Sequence, residues 1–399
     1  MSGLISNKFL FFLAGLVIAT LLLFPAIKIA DNFPVFQFVD FLLPFITIFL
    51  FVKRKEIVWN RYFSILGLFL IVILISIVFN NRLGQFRDYF ELYKIIKFSL
   101  IILLFSFVSI TQFTTYFVKP VFIILCIVNL FHYFNFFNIN SLILSHFNGG
   151  IHIKTFGLNS LGQSATRRMI GLSGNPNINS IVFSFFTIVF FPSKNQNTNR
   201  YLWFVLAIFM MFLCQSRTNL IAFVVMVIAT ILFARKHFNS IKIFSSVVIA
   251  YLASFFLAQN AYLNSLFGTD ITQNTSLLGR IEVWKHLWEM IKKNPIIGHG
   301  PNKEYFYDNT LYAESEYVLH TWRYGIIGLL AFLNVLFYPV LKTMENLSIK
   351  NNLMVFQFTI MIAINSLTNN PFSDRFVLVL FAMLIGLFFN GQKVLQDEK

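Results

Sequence analysis

Apolar residues run through this chain in long, uninterrupted stretches, and the stretches set its architecture. Those centred on 9–28, 35–52, 62–80, 96–112, 117–137, 178–192, 201–215, 218–235, 241–258, 317–341, 353–369 and 375–391 are near the length of about 20 residues that a helix needs to cross a hydrocarbon core. They are continuous rather than alternating, which excludes a transmembrane barrel. The pattern predicts an all-α polytopic membrane protein with about 12 transmembrane helices, a single integral membrane domain over 1–399. The first run is too long for the core of a signal peptide and no small-residue cleavage site follows it, so it reads as an uncleaved span. No internal repeat is visible, which withholds support from a repeat-built transporter.

Two long polar segments interrupt the pattern, 138–177 and 259–316, and both fall on the same side of the membrane. The second leads into the most polar long stretch of the chain, Leu277 to Gly328. Within it Trp284, Leu287, Trp288 and Ile291 recur at helical spacing, with Arg280, Glu282, Lys285, Glu289 and Lys292 on the other positions. This predicts an amphipathic helix lying in the interface, ended by Asn294-Pro295 because proline disfavours helix at the residue before it.

Composition agrees: 57% hydrophobic and 12% charged, with mean hydropathy +0.72, where a soluble domain carries about twice that charge. The net charge of +15 fits short cytoplasmic loops meeting anionic lipid and does not indicate nucleic-acid binding. Lys53-Arg54-Lys55, Lys194 with Arg200, Arg235-Lys236 with Lys242, and Lys342 with Lys350 share one side if the N-terminus is cytoplasmic. The long loops then face outward. Arg82, Arg87, Lys94 and Lys97 break the rule, and two readings remain for 81–97: a basic surface helix on phospholipid headgroups, or a face that meets an anionic lipid-phosphate substrate. Cys126 and Cys214 lie inside apolar runs and imply neither a disulfide nor a metal site. Asp40 lies within the second run, an intramembrane carboxylate with no evident partner.

Candidate chemistry collects on the outward side. Arg167-Arg168 precedes the turn Gly171-Leu-Ser-Gly-Asn-Pro-Asn177, Ser216-Arg217-Thr218 joins two close spans, and Arg280 opens the amphipathic helix. A guanidinium is a strong phosphate ligand, although an arginine at a span end also serves as an interfacial anchor. Glu314 is expected on one continuous helix with the tenth span, placed to take a proton from an attacking hydroxyl, with His320 as the second candidate base and Arg323 beside it. His299 has no companion at metal-ligand spacing, so neither a metal site nor another cofactor is indicated.

Together these residues resemble the O-antigen ligase/polymerase superfamily of bacterial envelope proteins. The matching pieces are Arg168-x-x-Gly171 with Gly174-Asn-Pro-Asn177, Ser216-Arg217-Thr218, Gly279-Arg280-x-x-x-Trp284, Asn294-Pro295-x-x-Gly298-x-Gly300 and Arg323-Tyr-Gly325-Ile-Ile-Gly328, covering roughly 165–330. The resemblance implies a GT-C-like glycosyltransferase of the bacterial inner membrane. It would work at the periplasmic face without metal or nucleotide sugar, on a glycan carried by undecaprenyl diphosphate. In the family, arginines matching Arg217 and Arg280 bind the diphosphate, and Arg168 and Arg323 are further candidates. Ligases of the family carry a histidine about eleven residues before the Gly-Ile-x-Gly turn; here that position is Glu314, which favours a polymerase of lipid-linked repeat units. A ligase acting on lipid A core, a flippase for the same lipid, and an outer-loop scaffold for a glycan-assembly complex remain the alternatives. The spans hold few charges besides Asp40, which disfavours the flippase. Expected partners are the lipid-linked oligosaccharide, membrane lipids and a chain-length regulator.

Overall fold

The computed structural model describes residues 2–27, 35–142, 168–192, 199–234, 240–258, 275–309 and 311–397. Each of the apolar stretches falls on a helix: α1 Ser2–Leu23, α2 Phe38–Val52, α3 Arg61–Phe79, α4 Tyr89–Phe105, α5 Ile110–Phe134, α6 Pro176–Val189, α7 Asn199–Leu213, α8 Arg217–Ala234 and α9 Ser240–Ala258. The amphipathic segment forms α10 Thr275–Lys293, followed by the short α11 Lys303–Asp308. Then come α12 Glu316–Thr343, α13 Lys350–Asn365 and α14 Arg375–Asp397. The described residues hold no strand, only one antiparallel bridge between Ile27 and Phe36. Most of 138–177, Arg167 included, and the first part of 259–316 lie outside the described residues.

The chain is a multi-pass membrane protein. Arg61–Phe79, Ile110–Phe134, Arg217–Ala234 and the segment Glu316–Asn346 are each long and apolar enough to cross a bilayer, and shorter apolar helices lie beside them. Their outward faces carry bare hydrophobics such as Phe45, Ile48, Phe79, Leu232 and Ile249. Such an apolar surface is out of place in water and at home in lipid. Inside, α4 packs on α14, α3 on α12, α6 on α7 and α8 on α13, around buried phenylalanines that include Phe98, Phe105, Phe122, Phe183 and Phe186.

Buried polar side chains join the helices at intervals. Asn219 of α8 donates to Ser180 and Ser184 of α6 at 2.6 and 2.8 Å and accepts from Asn365 of α13 at 3.0 Å. Asn179 of α6 donates to Asn129 of α5 at 2.8 Å. Away from water such groups must find protein partners, so these bonds fix which helices meet.

Two expectations change. The basic segment 81–97 is not a separate surface helix: from Tyr89 it runs into α4, and both lysines on this part of the helix have acidic partners. Lys94 pairs with Glu91 at 3.0 Å, and Lys97 reaches Asp40 at 2.6 Å and Gln37 at 3.0 Å. Asp40 therefore has its partner, and Tyr93 donates to it as well at 2.7 Å. Glu314 is not on the helix of the tenth span. Ser315 is the N-cap of α12, and Glu314, one residue earlier, sits at φ 43.

Candidate active site

The long helix α12 is broken at Gly325, where φ is 64 and ψ is −164. That region of backbone space is essentially reserved for glycine. The loop after α10 fits into the break. Ile326 N donates to Pro295 O at 2.9 Å, and His299 N donates to Trp322 O at 3.0 Å. Gly298, itself at φ 72, lies so close to the break that a Cβ there would stand 2.5 Å from Arg323 C. A Cβ on Gly325 would stand 2.1 Å from Ile296 O. Ser76 of α3 closes the joint by donating to Ile297 O at 2.9 Å and Arg323 O at 3.0 Å. The Asn-Pro-x-x-Gly-x-Gly and Arg-Tyr-Gly segments thus interlock and hold α10 against α12, with Leu287, Ile291, Leu319 and Trp322 forming a small core of their own. Trp288, expected on that apolar face, is instead exposed, as suits a ring at the edge of a bilayer.

Held in this way, α10 delivers Arg280 to the residues that precede α12. Arg280 Nε donates to Glu314 Oε2. The neighbouring contact from Trp284 Nε1 to Ala313 O fixes the turn that carries the carboxylate. No other acceptor among the described residues is assigned to the terminal nitrogens of Arg280, which leaves them for a further anion. The side chain of Glu314 is 42% exposed, whereas those of Glu316 and His320 are 0% and 4%. Positive φ is uncommon outside glycine, and in this part of the molecule Glu314 and Gln215 (φ 51) both adopt it.

A second group of loops meets these residues at the same end of the bundle. Arg168 donates to Asn177 Oδ1 at 2.9 Å and to Cys214 O at 3.3 Å. Asn177 passes the connection to Asn369 at 3.2 Å, and Thr218, next to Arg217, meets Thr368 at 2.7 Å. Arg217 itself is half-buried at the start of α8. The Asn177 and Thr218 contacts converge on 366–374, the link between α13 and α14. Glu316 anchors this link: its amide donates to Ser366 O at 2.9 Å, and its carboxylate accepts from Phe372 N, Ser373 N and Ser373 Oγ at 3.1, 3.2 and 2.6 Å. The polar run Ser366-Leu-Thr-Asn-Asn-Pro-Phe-Ser-Asp374 was the component missed in the sequence, although its Asn-Asn-Pro marks a turn. Buried atoms there, Ser366 Oγ, Asn370 Oδ1 and Ser216 Oγ, have no hydrogen-bond partner among the described residues. Asp374 closes the link by accepting from Phe376 N and Val377 N at 2.8 and 3.2 Å. Burial raises its carboxyl above the usual range, against the opposing pull of Arg375 and these amides.

The structure therefore brings Arg168, the Arg217 segment, Arg280 and Glu314 to one end of the bundle, and separates two other candidates from the exposed part of that end. His320 is buried, stacked on Phe332 at 4.1 Å between ring centroids, with Glu316 Oε1 3.3 Å from its Nε2. Arg323 lies 3.5 Å from Glu91, with its guanidinium over the ring of Phe306. It belongs to an ion network in which Lys303 pairs with Glu91 at 3.0 Å and Arg82 with Asp88 at 2.5 Å. Burial pushes the Lys303 ammonium down to about 8, with Glu91 opposing the shift. Among the described residues no three His, Cys, Asp or Glu side chains gather as metal ligands would.

Residues 202–333 match a family model described as O-Antigen ligase. The match takes in Arg217, Arg280, Glu314, His320 and Arg323, and it ends before the 366–374 link. No curated protein matches the chain.

Proposed function

We infer, for a chain whose residues 202–333 place it in the O-antigen ligase/polymerase superfamily, that it is the polymerase of a surface polysaccharide, joining oligosaccharide repeat units carried on undecaprenyl diphosphate. In this reading the helices cross the bacterial inner membrane about 12 times in a GT-C-like arrangement, and the end that carries Arg280 and Glu314 faces the periplasm. The segments 138–177 and 259–316 are its outer loops, and a chain-length regulator is its protein partner.

The observation that carries the reading is the Arg280–Glu314 pair. An exposed carboxylate held by a guanidinium whose terminal nitrogens remain available places a base beside an anion site. Glu314 would take the proton of the acceptor hydroxyl as its oxygen attacks the anomeric carbon of the donor glycan. The bond from that carbon to the diphosphate oxygen breaks, and its electron pair leaves with undecaprenyl diphosphate. Arg280 and Arg217, with Arg168 behind them, would balance the charge that builds on the leaving group, and no step requires a metal. Arg323 would contribute to diphosphate binding only by giving up Glu91. His320, packed against Phe332, supports the helix rather than taking the proton.

The test is reconstitution in liposomes with a synthetic undecaprenyl-diphosphate repeat unit and no nucleotide sugar. A ladder of lipid-linked oligomers, lost in Glu314→Gln, is the expected result. Transfer only after lipid A core is added would make the protein a ligase. Transbilayer movement of the labelled lipid without any transfer would make it a flippase.

A further inference from the structure

At the end of the bundle opposite Glu314, three cations come together with no acid among the described residues paired to them. The helices there are short: α6, α7 and α13 have 14, 15 and 16 residues. At 1.5 Å per residue they run roughly 21 to 24 Å, less than the about 30 Å of a hydrocarbon core. The end of α6 and the starts of α7 and α13 lie at this end. Arg200, on the first turn of α7, donates to Val189 O at the last residue of α6 at 3.3 Å. Lys350 opens α13, whose N-cap Ile349 offers no side chain to the first backbone N–H groups.

The third cation comes from within a helix. Lys119 lies nine residues into α5, directly after the π-turn Thr114–Val118 and directly before Pro120. A π-turn in a helix is uncommon and is often found at functional positions. Phe122, one turn further along the same face, packs on Phe186, Phe190 and Trp203 at 4.8, 5.1 and 6.2 Å, which brings this face of α5 against the end of α6 and the start of α7. Arg200 and Lys119 are the charges that act on Lys350, both of like sign. No ion pair joins any of the three to an acid among the described residues, whereas Lys53 and Lys342 at the same end each pair with a glutamate. A lysine inside an apolar helix normally has a counter-charge, and here none comes from the described residues.

We propose that Lys119, Arg200 and Lys350 form a binding site for a phosphate group, that of an anionic phospholipid seated at these helix ends. The walls favour a phosphate that brings its own acyl chains. Ile123, Ile124 and Leu202, which flank the cations, are bare and apolar. Basic recesses between membrane helices hold lipid headgroups in this way, and the uncapped start of α13 adds backbone donors.

Native mass spectrometry of the purified full chain tests the site with three probes: phosphatidylglycerol, phosphatidylcholine and inorganic phosphate. The unaltered protein is expected to retain phosphatidylglycerol in clear preference to phosphatidylcholine. Each cation removed should weaken that retention about fivefold, so Lys350→Gln lowers it measurably, Lys350→Arg preserves it, and K119Q/R200Q/K350Q abolishes the preference. Should the triple variant fail to purify as a single species, the two Lys350 variants decide the matter. Equal retention of the two lipids by the unaltered protein, or an unchanged preference in Lys350→Gln, overturns the proposal. Binding of inorganic phosphate that Lys350→Gln weakens, without preference between the lipids, would keep the phosphate chemistry and overturn the lipid as its source.

Discussion

Arg280 and Glu314 are joined by a single contact through Nε, and this divides the expected effects of substitution. Arg280→Ala removes both the anion ligand and the group that orients the carboxylate, so it should slow polymer formation on the order of 100-fold or more, measured as initial rate of ladder growth. Arg280→Lys keeps the charge but loses the fork that lets one side chain hold a carboxylate and a phosphate together, and it should recover little of the rate. Near-normal polymer from Arg280→Ala would remove that residue from the mechanism. The identities of these residues were legible in the sequence as polar outliers in an oily chain; their pairing was not. Positions 280 and 314 are separated by a helix, the interlocking loop and α11, and the left-handed turn at Glu314 follows from the Ser315 cap and the Trp284 contact. His320 looked equivalent to Glu314 in the sequence because helical spacing alone does not reveal that Phe332 comes to lie on its ring.

The joint between the 294–300 loop and the break in α12 carries the positioning of α10, and it depends on two glycines. Gly325→Ala must adopt a strained backbone, costing roughly 1–3 kcal/mol, and also drive a methyl into Ile296 O, costing about as much again. The expected result is a lower melting temperature in detergent and loss of polymerisation together, whereas Gly279→Ala, with open space around it, should leave melting unchanged. Beside the joint, Lys303 provides a test by pH. Its folded value of about 8 lies below that of an exposed lysine, so between the two the unfolded chain binds more protons and stability rises with pH. Melting temperature followed from pH 8 to about 10 should gain less in Lys303→Met than in the unaltered chain. The amphipathic period made α10 legible, and the Asn-Pro break marked its end. The 81–97 segment misled because its cations were read without Asp88 and Glu91, which lie among them, and without Asp40, about 50 positions away.

Across the whole molecule, the proposed orientation rests on charge and connectivity. Lys53, Arg54, Lys55, Lys242 and Lys342, together with Lys119, Arg200 and Lys350, lie at one end of the bundle, and Arg168, Arg217, Arg280 and Glu314 lie at the other. Hydrophobic runs alone gave the helices, because a segment that must bond its own backbone in lipid has few other conformations. They could not show which helices pair, or that a polar link between α13 and α14 would join four segments of the site, since both depend on how the helices pack. The orientation leads to a test by labelling. Cys126 and Cys214 are buried, so a single introduced cysteine reports its own position. An impermeant maleimide added to intact spheroplasts should label Asn302→Cys, in the turn before α11, and spare Glu56→Cys, in the link between α2 and α3, until the membrane is opened. In the proposed arrangement of about 12 crossings, α12, α13 and α14 would bring the chain back across after α10. Labelling of Glu56→Cys in intact cells would turn the molecule over. The Arg280–Glu314 pair would then face the cytoplasm, and a glycan donor already carried across to the periplasm could no longer reach it.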